Sequence, residues 1–257
     1  MSIHYTELGS GPLPVVFLHG LFGQGKNWHN VAKSVADLAT SRLLDMPDHG
    51  RTSWTVAFDY DEYAEFITDW LKDNFDLPVV LVGHSMGGKV AMRIAVQEPE
   101  LVRGLMVVDI SPARNDSALG FTSLVAGLKS LDLERLASRS DADRKLADRI
   151  PNSTVRSFLL QNLQRSGDAW HWLANLDMLG DNLHAISGWA PLGGQYPGPA
   201  IWVVGGLSDY VRPEHHQAMR ELFPSVFVVT LKRAGHWVHS DDPEAFVKTL
   251  RVFLTGL

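Results

Sequence analysis

The sequence predicts an α/β protein: a mostly parallel, doubly wound sheet with a helical segment inserted between two of its strands. Three observations carry that expectation. Short runs of branched apolar residues, such as Val15-Val16-Phe17-Leu18 and Val79-Val80-Leu81-Val82, have the continuity of strands buried on both faces. Stretches of helical periodicity lie between such runs, and strands alternating with helices make a parallel sheet. From about 113 to 196 the strand runs stop and helical patterns follow one another, which reads as an insertion.

The elements follow in order. Residues 3–8 alternate well enough for a first strand, and Gly9-Ser10-Gly11-Pro12 is turn chemistry. The strand at 15–18 runs into His19-Gly20-Leu21-Phe22-Gly23. Trp28, Val31, Val35 and Leu38 then lie at helical spacing within 27–38. A strand at 41–46 ends at Pro47-Asp48-His49-Gly50, whose proline and glycine forbid further regular structure. Tyr63, Phe66, Ile67, Trp70 and Leu71 form one apolar face of a helix over 59–74. The strand at 79–82 leads to a helix over 86–97, stopped near Pro99, and the strand at 105–108 ends at Asp109-Ile110-Ser111-Pro112. Helical patterns recur at 121–131, 141–150, 154–163 and 177–186. Strands return at 201–204 and 226–231, with helices over 213–222 and 243–254. A core of 1–112 and 197–257, interrupted by a cap at 113–196, accounts for this order.

Composition narrows the function. A chain of 257 residues suits one large domain, or a core with a smaller insert. Hydrophobic residues at 45% and charged residues at 20% are ordinary for a globular protein that faces water. The net charge of −6 argues against a nucleic-acid surface, which needs clustered Lys and Arg. No apolar run approaches the ~18–20 residues of a membrane span. The start, Met1-Ser2-Ile3-His4-Tyr5, lacks the basic and apolar regions of a secretion signal, so a cytoplasmic location is expected. Absence of cysteine excludes disulfides and thiolate metal sites. His215, His216 and His239 have no partners at metal-ligand spacing, so no metal is expected. Nothing in the pattern sets an oligomeric state.

The chemistry gathers around Gly83-His84-Ser85-Met86-Gly87. A serine on a tight strand-to-helix turn is held in a strained backbone conformation with its hydroxyl clear of the chain. Gly83 and Gly87 leave room there for the neighbouring strand and helix. The bland alternative is a glycine-flanked turn without chemistry; the strand before, the helix after and a distal histidine favour a nucleophile. A serine hydroxyl needs an adjacent base, and His236, after the last strand, is the candidate. A carboxylate must orient that ring through its other nitrogen. Asp109 and Asp209 both satisfy the chain order Ser–Asp–His, and Asp177 in the insertion is a distant third. An oxyanion needs donors: the Met86 N–H at a helix N-terminus, and the Leu21 N–H, with that of Phe22 as the alternative. Ligands of such sheets bind at the carboxyl ends of the strands, where Ser85, Asp109, His236 and the His19-Gly20 loop all fall.

Four motifs, His-Gly-Leu-Phe-Gly at 19–23, Gly-His-Ser-Met-Gly-Gly-Lys at 83–89, Asp-Ile-Ser-Pro at 109–112 and Gly-His-Trp-Val-His at 235–239, give the chain a resemblance to the α/β-hydrolases. More narrowly, it resembles their small serine esterases. The resemblance implies a helical cap after the sixth strand in that fold's own count. It also implies a small to medium acyl ester as substrate, water as co-substrate, and neither metal nor organic cofactor. It favours Asp109 as the acid, because that branch uses the Asp of Asp-Ile-Ser-Pro. Many α/β-hydrolases instead take the acid from a Gly-x-x-Asp loop after the penultimate strand, where Ser208 stands here and Asp209 one residue beyond. Met46-Pro47-Asp48-His49-Gly50 departs from the branch, which has Arg-Asn before His-Gly.

Phe22, Trp170, Trp172 and Trp237 are candidates for lining the substrate site. Trp170 and Trp172, with Trp189, serve equally as anchors of the cap's own core. His84 reads as a packing residue, and Arg51 and Lys89 as solvated or loop-bracing charges. A Ser nucleophile argues against dehalogenase and epoxide-hydrolase chemistry. A serine ester hydrolase leads; an acyltransferase or thioesterase with the same triad, and a non-catalytic binding protein, are the other readings.

Overall fold

The computed structural model describes residues 2–116 and 120–257. In chain order its strands are β1 (Tyr5–Leu8), β2 (Leu13–Leu18), β3 (Ala39–Leu44), β4 (Val79–His84), β5 (Val102–Val108), β6 (Leu163–Ser166), β7 (Ala169–Trp172), β8 (Ala200–Gly205) and β9 (Val226–Leu231). Seven of them form one sheet in the order β1-β3-β2-β4-β5-β8-β9. Within it β1 runs antiparallel to β3 and all other pairs are parallel. The long apolar runs follow from burial on both faces. Along β4, Val79 and Leu81 enter one hydrophobic cluster while Val80 and Val82 enter another on the opposite face.

The helices are α1 (His29–Lys33), α2 (Tyr60–Asn74), α3 (Met86–Gln97), α4 (Phe121–Lys129), α5 (Arg139–Leu146), α6 (Ser153–Leu159), α7 (Leu176–Asp181), α8 (Leu183–Ser187), α9 (His216–Leu222), α10 (Val238–Asp241) and α11 (Pro243–Thr255). Tyr63, Ile67 and Leu71 of α2, with Val90 and Ile94 of α3, cover one face of the sheet. Val31 of α1 and Phe246, Leu250 and Leu254 of α11 cover the other. The start of α2 is fixed by Asp59, whose carboxylate accepts the N–H groups of Asp61 and Glu62 at 2.6 and 3.3 Å.

The insertion follows β5, the fifth strand in this chain's own count, and carries helices α4 to α8. Its Leu128, Leu146, Leu159 and Leu183 join the same buried cluster as α2 and α3, so the insertion shares its core with the sheet. Two expectations are corrected. The insertion is not wholly helical: β6 and β7 pair as an antiparallel hairpin, turned at Gly167 with φ of 59°. Strands of four residues are too short for their alternation to stand out. The helix expected over 27–38 is reduced to a 3-10 turn at Gly25–Trp28 and α1, which stops at Lys33. There the Ser34 hydroxyl donates back to the Asn30 carbonyl at 2.8 Å, local competition that disfavours continuation. Among the described residues no helix is long and apolar enough to cross a membrane.

Candidate active site

Ser85 closes β4 and opens α3 with φ of 52° and ψ of −120°. Its N–H donates to the Val108 carbonyl at 3.1 Å and its carbonyl accepts from the Lys89 N–H at 3.0 Å, so the strained turn is tied at both ends. The flanking glycines are sterically required. A Cβ on Gly83 would stand 2.5 Å from the Gly87 oxygen, and one on Gly87 would stand 2.5 Å from the His19 oxygen.

Asp109, fully buried, follows β5. Its Oδ2 accepts from His236 Nδ1 at 2.8 Å and also from the Ser208 hydroxyl, while Oδ1 accepts from the Gly205 N–H at 2.9 Å. A carboxylate can only accept here, so Nδ1 carries the proton and Nε2 is left with its lone pair. Tyr210 stacks on the His236 ring at 3.6 Å between centroids. The alternative acids are placed elsewhere. Asp209 is mostly exposed and lies 3.9 Å from Arg212, and Asp177 is exposed and paired with Lys129 at 2.5 Å. The position one residue before Asp209 contributes instead: Ser208 supports Asp109 from the loop after β8.

Ser85 and His236 line one small cavity of about 30 Å³ with His19, Leu21, Phe158 and Trp237. Among the described residues no hydrogen bond joins the serine hydroxyl to the imidazole, a looseness common before substrate binds. A second cavity of about 20 Å³ adjoins Ser85 on its other side, walled by Tyr60, Lys89, Ile186, Ser187 and Tyr210. Leu21, Ser85 and Phe121 border both.

The N–H groups expected to meet an oxyanion differ in their engagement. The Phe22 N–H donates to His49 Nε2 at 3.0 Å and is therefore engaged. His49 accepts there because its Nδ1–H donates to the Pro47 carbonyl at 2.8 Å. The Leu21 N–H meets no protein acceptor among the described residues. Met86 is the first residue of α3, where an N–H has no intrahelical acceptor. His19 braces the same loop: its Nδ1–H donates to the Gly20 carbonyl at 2.8 Å and its Nε2 accepts the Met46 N–H at 2.9 Å. The 46–50 loop, where the sequence departs from the esterase branch, thus holds the 19–23 loop. Its Asp48 also accepts from Tyr63 at 2.5 Å and from Asn175 of the insertion at 2.9 Å, tying cap to core.

His84 is a packing residue, as expected, and its ring donates from Nε2 to the His236 carbonyl at 2.9 Å. Burial holds His84 well below the ordinary histidine range, and lowers His239 to about 4 and His49 to about 3. His236 is the ring of this cluster that meets a carboxylate.

Of the four aromatic residues expected to line the site, the structure brings only Trp237 to the cavities at Ser85. Phe22 is buried against Phe121 and His49. Trp170 donates its indole N–H to the Leu136 carbonyl at 2.9 Å within the insertion, and Trp172 pairs across the hairpin with Leu163. Phe121, Phe158 and Tyr210 take their place. In the sequence these are apolar residues in helical patterns or loops, with no mark that separates a pocket wall from cap core. Of the two expectations for Lys89, solvated or loop-bracing, the structure shows the second. Lys89 is 1% exposed, and its Nζ donates to the carbonyls of Ile186, Ser187 and Gly188 at 3.2, 2.9 and 2.6 Å. No group of three His, Asp or Glu among the described residues is placed to hold a metal ion.

Residues 15–249 match the model of the alpha/beta hydrolase family. The sn-1-specific diacylglycerol lipase ABHD11 of Mus musculus is 38% identical, the match covering 99% of this chain and 85% of that protein. Esterase YbfF of Escherichia coli is 26% identical over 94% of this chain and 92% of its own length. Among solved structures, a marine microorganism esterase superposes with a TM-score of 0.93 at 32% identity, covering 98% of each chain. With the parallel sheet, the Ser85 turn and the Asp109–His236 pair at its carboxyl edge, these matches make the chain a member of the alpha/beta hydrolase family.

Proposed function

We propose that this chain is a carboxylic-ester hydrolase that works through an acyl-enzyme on Ser85. The observation that carries the reading is the 2.8 Å contact of buried Asp109 with His236 Nδ1, beside a serine held at φ of 52°. Nε2 takes the Ser85 proton as Oγ attacks the ester carbonyl, forming the Oγ–C bond. The oxyanion is met by the N–H groups of Leu21 and Met86. His236 then returns the proton to the leaving alkoxide as the C–O bond breaks. Water, deprotonated by the same ring, releases the acid and regenerates Ser85. Asp109 stabilises the imidazolium at both steps, and Ser208 and Gly205 hold Asp109. The lipase and esterase named among the relatives agree with this chemistry.

The test is a fluorophosphonate probe together with p-nitrophenyl acetate. The wild-type protein is expected to take one adduct, on Ser85, and to hydrolyse the ester, and Ser85→Ala to do neither. A folded wild-type protein that takes no label and turns over no ester overturns the reading.

A further inference from the structure

The two cavities at Ser85 are unequal in what lies beyond them, and that inequality assigns the two halves of the substrate. The cavity that contains His236 adjoins a larger space. Asn27, Phe158, Trp237 and His239 border it and also border a groove of about 470 Å³ between α1, α6 and the segment from Trp237 to Val247. The other cavity, of about 20 Å³, contains Met86 but not His236, and shares no wall residue with that groove. Its end wall, Ile186 and Ser187, is fastened by Lys89 and by the Tyr60 hydroxyl, which donates to the Ile186 carbonyl at 2.8 Å.

The general acid must reach the oxygen that departs, so the leaving group lies on the His236 side and the acyl group on the other. A space of about 20 Å³ holds little more than one water or a methyl group. The groove is large, and its wall mixes apolar side chains such as Val31, Val155 and Phe158 with hydroxyls and amides. Among the described residues Asp241 is the one charged side chain on it, and no Lys or Arg borders it. Of the residues bordering the His236 cavity, Trp28 and His239 each hold a ring nitrogen, Nε1 and Nδ1, buried without a hydrogen-bond partner among the described residues. Resting on the esterase reading, we propose that the acyl part of the substrate is short and fills the enclosed chamber beside Lys89, whereas the leaving group is a bulky, uncharged alcohol that extends past His236 into the groove.

Substrate series on the wild-type protein test this, with p-nitrophenyl acetate hydrolysis as the separate check that the enzyme is an esterase at all. Lengthening the acyl group from acetate to octanoate is expected to lower kcat/KM by about ten-fold or more, a barrier change of about 1.4 kcal/mol. Lengthening the alcohol of alkyl acetates from methanol to octanol is expected to raise it. Octanoates that outrun acetates would place the acyl chain in the groove and overturn the assignment. Acetyl-coenzyme A, an anionic thioester, should be hydrolysed about ten-fold more slowly than the acetyl thioester of neutral N-acetylcysteamine. Equal rates overturn the uncharged leaving group. Lys89→Met, which removes one of the end wall's fastenings and releases the Gly188 carbonyl beside it, should raise the octanoate-to-acetate ratio; a lysine serving stability alone would leave that ratio unchanged. Ile186→Ala opens the same wall and gives the same reading if Lys89→Met does not fold.

Discussion

Replacing Lys89 by methionine isolates the contribution of the buried ammonium, and the structure allows its cost to be worked out. At pH 6, where Lys89 is an ammonium in the fold, three charge-assisted bonds are lost, nominally about 1.5–3 kcal/mol each. Two of the three carbonyls keep other donors, however. Ile186 O still accepts from the Tyr60 hydroxyl at 2.8 Å, and Ser187 O from the Asn115 N–H at 2.9 Å. Only Gly188 O loses its sole donor among the described residues, a cost of about 1–3 kcal/mol for one unsatisfied acceptor. Against this, the variant no longer takes an ammonium out of water, and methionine fills most of the lysine stem's volume. The expected net loss is about 1–3 kcal/mol, or about 2–4 °C of Tm for each kcal/mol in a chain of this size. Urea denaturation at pH 6 measures it. A loss above about 5 kcal/mol would show the ammonium to be worth far more than its carbonyls' alternatives allow, and refute the reasoning. Its pH dependence has a definite sign. Burial, with the nearby Arg114 charge adding to it, lowers the Lys89 pKa to about 7, against about 10.4 in an unfolded chain. Between those values unfolding takes up a proton, so wild-type stability gains as pH rises through the window, and the variant lacks that gain. The difference between the two proteins should widen from pH 7 to pH 9.

Two further outcomes follow from the site. Asp109→Asn keeps the size and the left-handed backbone but loses the carboxylate that fixes the His236 proton, so kcat should fall by about 10⁴-fold; Asp209→Asn should stay near wild type, and steady-state ester hydrolysis distinguishes them. Burial keeps His49 and His239 neutral in the fold, at about 3 and about 4, whereas unfolded histidine titrates near ~6.5. Their contribution is fully present above that unfolded value and is lost as pH falls toward the folded ones, because the unfolded chain binds protons first. The urea midpoint should therefore drop between pH 7 and pH 4.5, and less so in His239→Phe, whose apolar ring still stacks on Trp28.

Much of this arrangement is legible in the sequence because it rests on local rules. Doubly buried strands need continuous apolar runs, and α3 begins and ends within the span its periodicity marks. Gly83 and Gly87 announce the Ser85 turn because no side chain fits there. What escapes the sequence depends on long-range partners. Asp109 and Asp209 are alike in chain order, and only the fold shows Ser208 and Gly205 converging on the former. Lys89 resembles any helix lysine until the insertion lays three carbonyls over it. The pocket wall is hidden for a related reason: Trp170 and Trp172 are larger than Phe121 and Phe158, but size does not say which face of a cap looks inward.

The strain at the carboxyl edge of the sheet explains why the site could be located but not fully assembled from sequence. Phe22, Asp48, Ser85 and Asp109 all have positive φ without being glycine, and they follow β2, β3, β4 and β5 in turn. Each such residue costs about 1–3 kcal/mol, so surrounding structure must hold it. It does so through the backbone N–H of every one. Phe22 donates to His49 of the adjacent loop, Asp48 to the Ser53 carbonyl, Ser85 to Val108 of β5 and Asp109 to Val203 of β8. Glycine would relieve the strain at each position, but at Ser85 and Asp109 it would also remove the side chains on which the proposed chemistry rests. Positive φ at non-glycine residues therefore marks positions where the side chain matters more than the backbone's ease. The same substitution rule that exposes a turn by its glycines hides it where chemistry forbids them, and the neighbouring strand supplies the restraint instead.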